Sequence, residues 1–475
     1  MVFHTNFKMA GGDWVNITIS NEIIITDAST DVCKWVQENL IVSNPDYLKK
    51  KRMGLWSGNT PEYLYLYRVD GNRIIVPVGV GKHIRQFLNG VHISQDLANN
   101  NLINYNANIP LYDYQEPAVK AMKKAGCGIL QSPCGSGKTQ MGIGLAIEIG
   151  LKTLWITHTA DLLNQSYERA AMYIDKSLLG KITEGKVHIG TGITFATVQT
   201  LTKLDLQQFK YTWDVIIVDE VQRLAGTPTQ VTMFSKVMNS LAARYKFGLS
   251  ATVHRGDGLI KSTFAIVGDI AYTVPDEAVA DKTMQVTIKK VNTGIEVGRE
   301  CLDTDGTLIY GNLMGYLTSN NKRNSLIIKD LNENTSHNNL ILSDRLDHLE
   351  LLMNSLNPSI REKAVMISGK MTSKKEKLQR IQALEDMRTG KMQYLFASYS
   401  LAKEGLDIPC LDRLYLTTPK KDYAVVVQSI GRIARTSNGK QDAICYDYVD
   451  DIGFCENQYK KRKSHYKKKG CIIHE

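Results

Sequence analysis

The pattern of apolar and polar positions changes twice along the chain, near residues 107 and 280, and predicts three regions. In the first region, apolar runs bounded by turn residues predict strands at 15–19, 22–26, 63–67 and 73–78. Gly71-Asn72 separates the last two runs and favours a hairpin. A helix is predicted over 30–39, capped by Ser29 or Thr30. We therefore expect a small α+β accessory domain over 1–107, ending in an asparagine-rich linker.

Beyond residue 107, short apolar strands alternate with helices, as in parallel α/β folds. In the region 108–280 we predict a helix at 140–149 and strands at 128–130, 154–157 and 213–219. In the region 281–475 we predict helices at 347–354 and 374–388, and strands at 340–342, 364–367, 394–397 and 413–416. The run 213–219 is nearly all apolar, which is typical of a strand covered on both faces. The repeated alternation predicts two parallel-sheet lobes with a cleft between them.

Composition narrows the class of protein. The 475 residues are enough for two to four domains, and 43% hydrophobic with 22% charged residues is ordinary globular usage. No apolar run is long enough for a membrane-spanning helix, and the first residues do not form a signal peptide, so no membrane partner is expected. The eight cysteines lack zinc-like spacing and fit a reducing compartment. We expect a cytoplasmic protein, in the bacterial host cytoplasm if a phage encodes it.

Positive charge is concentrated in two places. The net charge is +10, and the segment 460–469 contains seven basic residues and no acidic one. A second cluster is formed by Lys49, Lys50, Lys51 and Arg52. Clusters of this kind can attract a polyanion by releasing its counterions. The segment 460–469 is therefore interpreted either as a basic C-terminal tail that binds nucleic acid or as a solvated tail.

The segment Ser132–Thr139 carries the pattern of a phosphate-binding loop between a predicted strand and a predicted helix. Gly135 and Gly137 allow backbone N–H groups to turn towards a phosphate, and the following helix start adds its dipole. Lys138 is expected to reach the β- and γ-phosphates, and Thr139 to coordinate Mg²⁺. A serine stands at position 132, where the strict pattern has glycine. The predicted nucleotide-binding residues of the loop are Pro133, Cys134, Gly135, Ser136, Gly137, Lys138 and Thr139.

Two acidic residues follow the apolar strand at 213–219 and indicate hydrolysis. A carboxylate at the carboxyl end of a parallel strand faces the ligand crevice, so Asp219 is predicted to bind Mg²⁺. Glu220 is predicted to orient and deprotonate the attacking water. Lys138 and both acids are thus candidate catalytic residues.

The segment 428–435 in the third region predicts further catalytic residues. Arg432 and Arg435 are three positions apart, so we expect them on one helical turn, pointing the same way. Arginine side chains that contact the phosphate being transferred raise the rate of hydrolysis roughly 10³- to 10⁵-fold. If they come from the other lobe, hydrolysis would depend on closure of the cleft, which is what a motor requires.

Taken in order, these segments resemble the motifs of superfamily 2 helicases, particularly DEAD/DEAH-like DNA helicases of phages and bacteria. The related proteins include the repair helicase subunit and phage fork-remodelling helicases. The other matching segments are 111–115, 155–165, 196–201, 250–252, 341–345 and 402–409. The resemblance implies two tandem RecA-like parallel-sheet lobes at 108–280 and 281–475, with ATP and Mg²⁺ as cofactors. It also implies a catalytic role for Gln428, an adenine contact by Gln115, and nucleotide contacts by Gly405 and Asp407.

The same resemblance implies that one nucleic-acid strand crosses both lobes, held by its phosphates, with travel in the 3′–5′ direction. The residues placed to make such contacts are Thr159, Thr197 and Gln199 in the first lobe and Ser343, Gly369 and Ser398 in the second. Each residue type is also common at helix caps and turns. In the N-terminal region, the basic segment 44–52 and Trp56 suit a duplex or a junction, although a core tryptophan is an equal alternative.

The leading interpretation is an ATP-dependent helicase or translocase acting on single-stranded or branched DNA, in phage replication, recombination or repair. An RNA helicase and the motor subunit of a restriction or defence complex remain alternatives. A P-loop kinase would leave the segment 428–435 unexplained. The sequence does not indicate protein partners.

Overall fold

The computed structural model describes residues 15–475 except 88–90, 134, 224–226, 254–257, 370, 372, 404–405 and 407. The main division between two compact units lies between Pro275 and Asp276. The first unit holds a five-stranded sheet and an eight-stranded sheet, and the second holds a seven-stranded sheet. None of the helices described is long and apolar enough to cross a membrane.

The N-terminal region is a small α+β structure. Its elements are β1 (Val15–Ile19), β2 (Ile23–Thr26), α1 (Thr30–Asn39), β3 (Ile41–Ser43), α2 (Pro45–Arg52), β4 (Tyr63–Tyr65), β5 (Arg68–Asp70), β6 (Arg73–Val76), α3 (Gly81–Arg85) and β7 (Val91–Gln95). The main sheet has the order β5-β6-β2-β1-β7, and β3 pairs with β4 separately. The predicted helix α1 is confirmed, with Ser29 accepting from the Val32 N–H as its cap.

The predicted hairpin at Gly71-Asn72 is present, but the prediction that the strand at 63–67 forms its first arm was wrong. The turn joins β5 to β6, while Tyr63–Tyr65 pairs with Ile41–Ser43. The physical reason is tertiary: Leu64, on β4, packs against Val231 and Leu259 of the eight-stranded sheet region. Burial of this side chain draws β4 away from the hairpin, and the polar segment β5 takes the edge position.

The asparagine-rich segment after β7 lies along the first lobe rather than forming a loose linker. The Ala98 N–H donates to the Ala242 carbonyl at 2.8 Å, and the Asn100 side chain donates to Asp214 at 2.8 Å. The Ile103 N–H donates to the Gly150 carbonyl at 2.8 Å. Two of these bonds satisfy backbone N–H groups of a segment without secondary structure, and all three attach it to the lobe.

The first lobe is built on a mainly parallel sheet. Its elements are α4 (Gln115–Ala125), β8 (Cys127–Gln131), α5 (Lys138–Ile149), β9 (Thr153–Thr157), α6 (Ala160–Ala171), β10 (Leu179–Thr183), β11 (Lys186–His188), β12 (Ile193–Thr197), α7 (Val198–Leu201), β13 (Val215–Asp219), α8 (Pro228–Met238), β14 (Tyr245–Ser250), α9 (Ile260–Val267) and β15 (Ile270–Thr273). The order is β11-β10-β12-β9-β13-β14-β8-β15, and only β10 and β11 pair antiparallel. The carboxyl ends of the parallel strands therefore share one edge, where ligands bind in such sheets.

The second unit repeats the architecture with a parallel sheet. Its elements are β16 (Thr287–Asn292), α10 (Tyr310–Ser319), α11 (Asn321–Glu333), β17 (Asn339–Ser343), α12 (Leu346–Asn354), α13 (Pro358–Arg361), β18 (Ala364–Ile367), α14 (Lys374–Arg388), β19 (Tyr394–Ser398), α15 (Tyr399–Lys403), β20 (Arg413–Leu416), α16 (Tyr423–Ile433), β21 (Ile444–Val449), α17 (Gly453–Lys468) and β22 (Ile472–His474). The order is β18-β19-β17-β20-β21-β16-β22. The predicted α/β fold class is confirmed.

The basic segment 460–469 is folded rather than a solvated tail, and its binding to nucleic acid stays a prediction. The segment forms α17 and then β22, which pairs with β16 at the edge of the second sheet. Buried Arg462 donates to both carboxylate oxygens of buried Asp447, at 2.9 and 2.8 Å, and Tyr466 donates to the same carboxylate at 2.6 Å. A charge pair and a tyrosine hydroxyl thus hold a lysine-rich helix on the lobe.

Candidate functional site

The glycines of the phosphate loop have the backbone conformation that such a loop requires. Gly135 and Gly137 lie at φ +84° and +76°, in the left-handed region that disfavours a Cβ. Gly137 precedes the first residue of α5, so the N–H groups of the helix start adjoin the loop. A Cβ on Gly137 would also lie 2.5 Å from Gln115 Nε2. The predicted contribution of Cys134 lies outside the described residues.

Ser132, the departure from the strict glycine pattern, belongs to the edge of the sheet. It is fully buried, and its N–H donates to the Ser250 carbonyl at 2.9 Å. This bond joins the start of the phosphate loop to the end of β14. Pro133 follows half-buried, and Ser136 is buried.

Lys138, Asp219 and Glu220 come together at the carboxyl edge of the first sheet. The Lys138 Nζ lies 4.0 Å from Glu220 Oε1. Asp219 ends β13 and is buried, and its carboxylate accepts from the Glu220 N–H at 3.0 Å. Burial, with the charge of Glu220 as a second cause, raises the pKa of Asp219 to about 7.

The donors here fit a magnesium nucleotide. Mg²⁺ prefers oxygen ligands, and Asp219 offers a carboxylate while Thr139, in the first turn of α5, offers a hydroxyl. The left-handed glycines leave room for backbone N–H groups to approach a phosphate. When bound, the ion would neutralise phosphate charge, and Lys138 would add a fixed positive charge.

Glu220 has a strained backbone that its neighbours maintain. Its φ is +50°, a conformation that costs a non-glycine residue roughly 1–3 kcal/mol and is concentrated at functional sites. The Gln222 Nε2 donates to Glu220 Oε2 at 2.5 Å. The Ser250 hydroxyl, at the end of β14, donates to Gln222 Oε1 at 2.6 Å. Gln222 was not predicted as a bridging residue, although its amide, able both to donate and to accept, was the available signal.

Gln115 lies where the start of α4 meets the phosphate loop. It is buried, and its Oε1 accepts from the Tyr112 N–H at 3.0 Å. Tyr112 stacks on Tyr114 with ring centroids 5.7 Å apart. This position next to Gly137 suits the predicted adenine contact, which stays a prediction.

In the second unit, Gln428 is buried within α16 and Arg432 lies in its last turn. Arg432 donates from Nε to the Ala402 carbonyl at 3.1 Å and from Nη1 to the Leu406 carbonyl at 3.2 Å. The prediction that Arg435 shares this helical turn was wrong, because α16 ends at Ile433. The chain then forms a β-bridge between Arg435 and Thr283. Gly405 and Asp407 lie outside the described residues.

The predicted nucleic-acid residues of the first lobe cluster at two adjacent strand ends. Thr159 caps α6 by accepting from the Leu162 N–H, directly after β9. Thr197 ends the neighbouring β12. Gln199 is exposed and donates to the His158 carbonyl at 2.9 Å, which joins the two loops. Their contact with nucleic acid stays a prediction.

The three residues predicted in the second unit also lie at strand ends. Ser343 ends β17, Gly369 follows β18 and Ser398 ends β19. Gly369 is exposed and Ser398 half-buried. The Ser343 hydroxyl is fully buried, bonds with His348 Nδ1 at 3.1 Å and accepts from the Arg345 N–H. Ser343 therefore acts as a turn residue, which was the alternative to a nucleic-acid contact, and its buried hydroxyl disfavours a side-chain contact with phosphate.

Family models match both α/β units. Residues 108–255 match the model described as the res subunit of type III restriction enzymes. Residues 322–437 match the helicase conserved C-terminal domain. The chain belongs to the superfamily 2 helicases.

Relatives of this helicase carry names of both nucleic-acid classes. A protein of Acanthamoeba polyphaga mimivirus, named as an ATP-dependent RNA helicase, is 29% identical over 74% of this chain and 65% of its own length. A DNA 3′–5′ translocase of Sulfurisphaera tokodaii is 32% identical over 38% of this chain and 40% of its own length. The helicase thus spans less than two thirds of either relative.

A solved structure supports the fold of this helicase. The fragment structure of the HsdR subunit of a type I restriction enzyme from Vibrio vulnificus has a TM-score of 0.55 and 16% identity, covering 77% of this chain and 69% of the other. At this identity the similarity shows the tandem-lobe fold alone.

Proposed function

We propose that this superfamily 2 helicase hydrolyses ATP with Mg²⁺ and uses the energy to move 3′–5′ on DNA, unwinding or remodelling branched DNA. The observation that carries the proposal is the continuous chain from Lys138 through Glu220 and Gln222 to Ser250. It connects the residue beside the phosphate loop to the strand-end edge where Thr159 and Thr197 lie. ATP hydrolysis and contact with nucleic acid could thus influence each other through the first lobe.

In this mechanism Glu220 accepts a proton from the attacking water, and Lys138 stabilises charge on the phosphate. Asp219 and Thr139 hold the Mg²⁺ ion. Arg432 and Arg435 supply positive charge to the γ-phosphate, and Gln428 helps to orient the attacking water. Closure of the site on ATP would couple each hydrolysis event to a step along the strand.

DNA is proposed as the substrate because the 3′–5′ translocase relative is named for DNA. RNA is the second candidate, since the mimivirus relative is named for RNA. The type III restriction model supports a third role, as the motor of a restriction or defence complex. A role in phage replication, recombination or repair, in the bacterial cytoplasm, belongs to the DNA proposal.

The test is ATP hydrolysis titrated with single-stranded DNA, duplex, fork and RNA of equal length. We expect DNA, and forks most strongly, to stimulate hydrolysis in the presence of Mg²⁺. Lys138→Ala should abolish turnover, and Glu220→Gln should bind ATP without hydrolysing it. Stimulation by RNA alone would transfer the proposal to RNA, and hydrolysis that ignores every nucleic acid would refute it.

A further inference from the structure

The segment around Trp56 presents large apolar side chains to solvent. Trp56 is 89% exposed, an unusual state for a tryptophan. Its neighbours form what we call the Trp56 surface, defined by the exposed residues Lys49, Lys51, Arg52, Met53, Leu55, Trp56, Tyr63 and Tyr65. Large exposed apolar side chains concentrated in one region mark an interaction site on a protein surface.

The loop that carries Trp56 is held in one conformation. Lys50 donates from Nζ to Thr60 Oγ1 at 2.8 Å, and its carbonyl accepts from the Leu55 N–H at 2.9 Å. Asn44, which caps α2, also donates to the Pro61 carbonyl at 2.8 Å and so closes the base of the loop. A preformed loop loses little conformational entropy on binding.

The indole ring lies near Gly58 of the loop. Gly58 has φ +54°, and a Cβ there would lie 3.5 Å from the ring of Trp56. The ring therefore lies near Gly58, while the side chain as a whole stays in solvent. An aromatic ring exposed in this way can stack on a base.

The helix that precedes Trp56 ends in exposed positive charge. Lys49, Lys51 and Arg52 are exposed in the last turn of α2, and the Lys51 Nζ lies 5.9 Å from the centre of the Tyr47 ring. Exposed cations and an exposed aromatic side chain on one short segment suit a nucleobase that stacks while its phosphates are neutralised. Nucleic acid, a polyanion with flat bases, matches both properties and is therefore the expected occupant.

The Trp56 surface is attached to the lobe that carries the phosphate loop. On β4, Tyr63 and Tyr65 are exposed, while the alternate residue Leu64 packs towards Val231 and Leu259 of the lobe. The Lys246 Nζ of β14 donates to the Asn21 carbonyl of the N-terminal region at 3.0 Å. The region that carries Trp56 is therefore attached to the lobe that contains the site of hydrolysis.

We propose that the Trp56 surface binds DNA at a branch point, with Trp56 stacking on a base left unpaired there. This inference rests on the proposed function and adds a contact that the helicase motifs do not provide. A base at a fork has lost a stacking neighbour, so an external indole replaces it at little cost. The site would favour branched over unbranched DNA.

The test compares Trp56→Ala and Trp56→Phe with the control Leu102→Ala, another exposed apolar residue of the same unit, at 80% exposure. The DNA is a fork with 2-aminopurine at the branch, and a single strand of equal length. Stacking energies predict a loss of fork affinity of roughly 5- to 150-fold for Trp56→Ala, with Trp56→Phe retaining most of it. Quenching of 2-aminopurine on binding should disappear in the alanine variant alone.

Several readouts separate this inference from the proposed function. Unchanged thermal unfolding of Trp56→Ala shows that the fold is intact, and unchanged hydrolysis with single-stranded DNA shows that the motor is intact. Equal fork affinity in the wild type and Trp56→Ala overturns the inference, as does an effect confined to binding of anionic vesicles. If nucleic acid fails to stimulate hydrolysis while fork binding still depends on Trp56, the proposed function is overturned and this inference is not.

Discussion

The hydroxyl of Ser250 donates a 2.6 Å hydrogen bond to the side-chain oxygen of Gln222. The other end of that amide donates to Glu220, the residue proposed to activate water. The backbone N–H of Thr252 in turn donates to the Ser250 hydroxyl at 3.0 Å. One amide thus joins the acid after β13 to the turn after β14, and its position depends on both.

Replacing the bridging amide should uncouple hydrolysis from nucleic acid. Gln222→Leu keeps the approximate size but removes both hydrogen bonds, one of them to a carboxylate. Hydrogen bonds to charged groups contribute about 1.5–3 kcal/mol, so we expect DNA-stimulated turnover to fall roughly 10- to 150-fold. Steady-state hydrolysis with and without DNA measures this, with exposed Gln207→Leu as the control. An unchanged ratio of stimulated to basal rate would contradict a coupling role.

The arginine of α16 offers a second test of the mechanism. Arg432→Ala should slow hydrolysis by roughly 10³–10⁵ while nucleotide affinity is retained, because the charge is needed chiefly in the transition state. Hydrolysis rate and nucleotide affinity are measured together. Arg432 also donates to the Ala402 and Leu406 carbonyls, so thermal unfolding must be compared as well. Normal turnover in a folded Arg432→Ala variant would refute the proposed role.

The exposed lysines of α17 should contribute to the salt dependence of DNA binding. Lys460, Lys461, Lys467 and Lys468 are exposed, whereas Lys463 and Lys469 pair with Glu475 and Asp276. Changing the four exposed lysines to glutamine should reduce the slope of log affinity against log salt by about 0.9 for each DNA phosphate that the helix no longer neutralises. The control is the double change of the two paired lysines. An identical slope would remove α17 from the binding surface.

Arg462 and Asp447 should be essential for the stability of the second unit. In Arg462→Met, Asp447 would remain as a buried carboxylate without its cation, which costs about 3–5 kcal/mol in the free energy of unfolding. Urea denaturation measures the loss, and the exposed substitution Lys467→Met serves as the control. A truncation at residue 460 should fail to fold this unit rather than merely weaken DNA binding. Full stability of Arg462→Met would contradict the anchoring role.

Lys246 should make stability depend on pH. Burial lowers the pKa of Lys246 to about 7, and its amine donates to the Asn21 and Met238 carbonyls. In the unfolded chain the ordinary lysine pKa of about 10.4 applies, so between these values the unfolded state binds the extra proton. The free energy of unfolding should therefore rise from pH 7 to pH 9, by at most about 1.4 kcal/mol per pH unit from this group.

The matched measurement is urea denaturation of wild type, Lys246→Met and the exposed control Lys203→Met across that pH range. The quantity to compare is the slope of the free energy of unfolding against pH, because Lys246→Met also leaves the Asn21 and Met238 carbonyls without their donor. Equal slopes in all three proteins would mean that Lys246 keeps its ordinary protonation behaviour.

The sequence alone determined the local features of this protein. Helices α1 and α14 and strands β18 and β20 were predicted at their observed bounds, because capping residues and apolar runs are local signals. The left-handed glycines of the phosphate loop were likewise predicted, since only glycine adopts that conformation without strain. The motif order identified the helicase superfamily.

Only the tertiary structure decided which distant groups meet. The pairing of β4 with β3, the folding of a lysine-rich segment as α17 and the bridge from Gln222 to Ser250 all depend on partners far along the chain. A lysine-rich composition suggests a solvated segment. Burial of Arg462 against Asp447, a residue of another element, holds the segment on the lobe instead. Local pattern reports the propensity of a segment, whereas the free energy of burying a side chain depends on the surface that covers it.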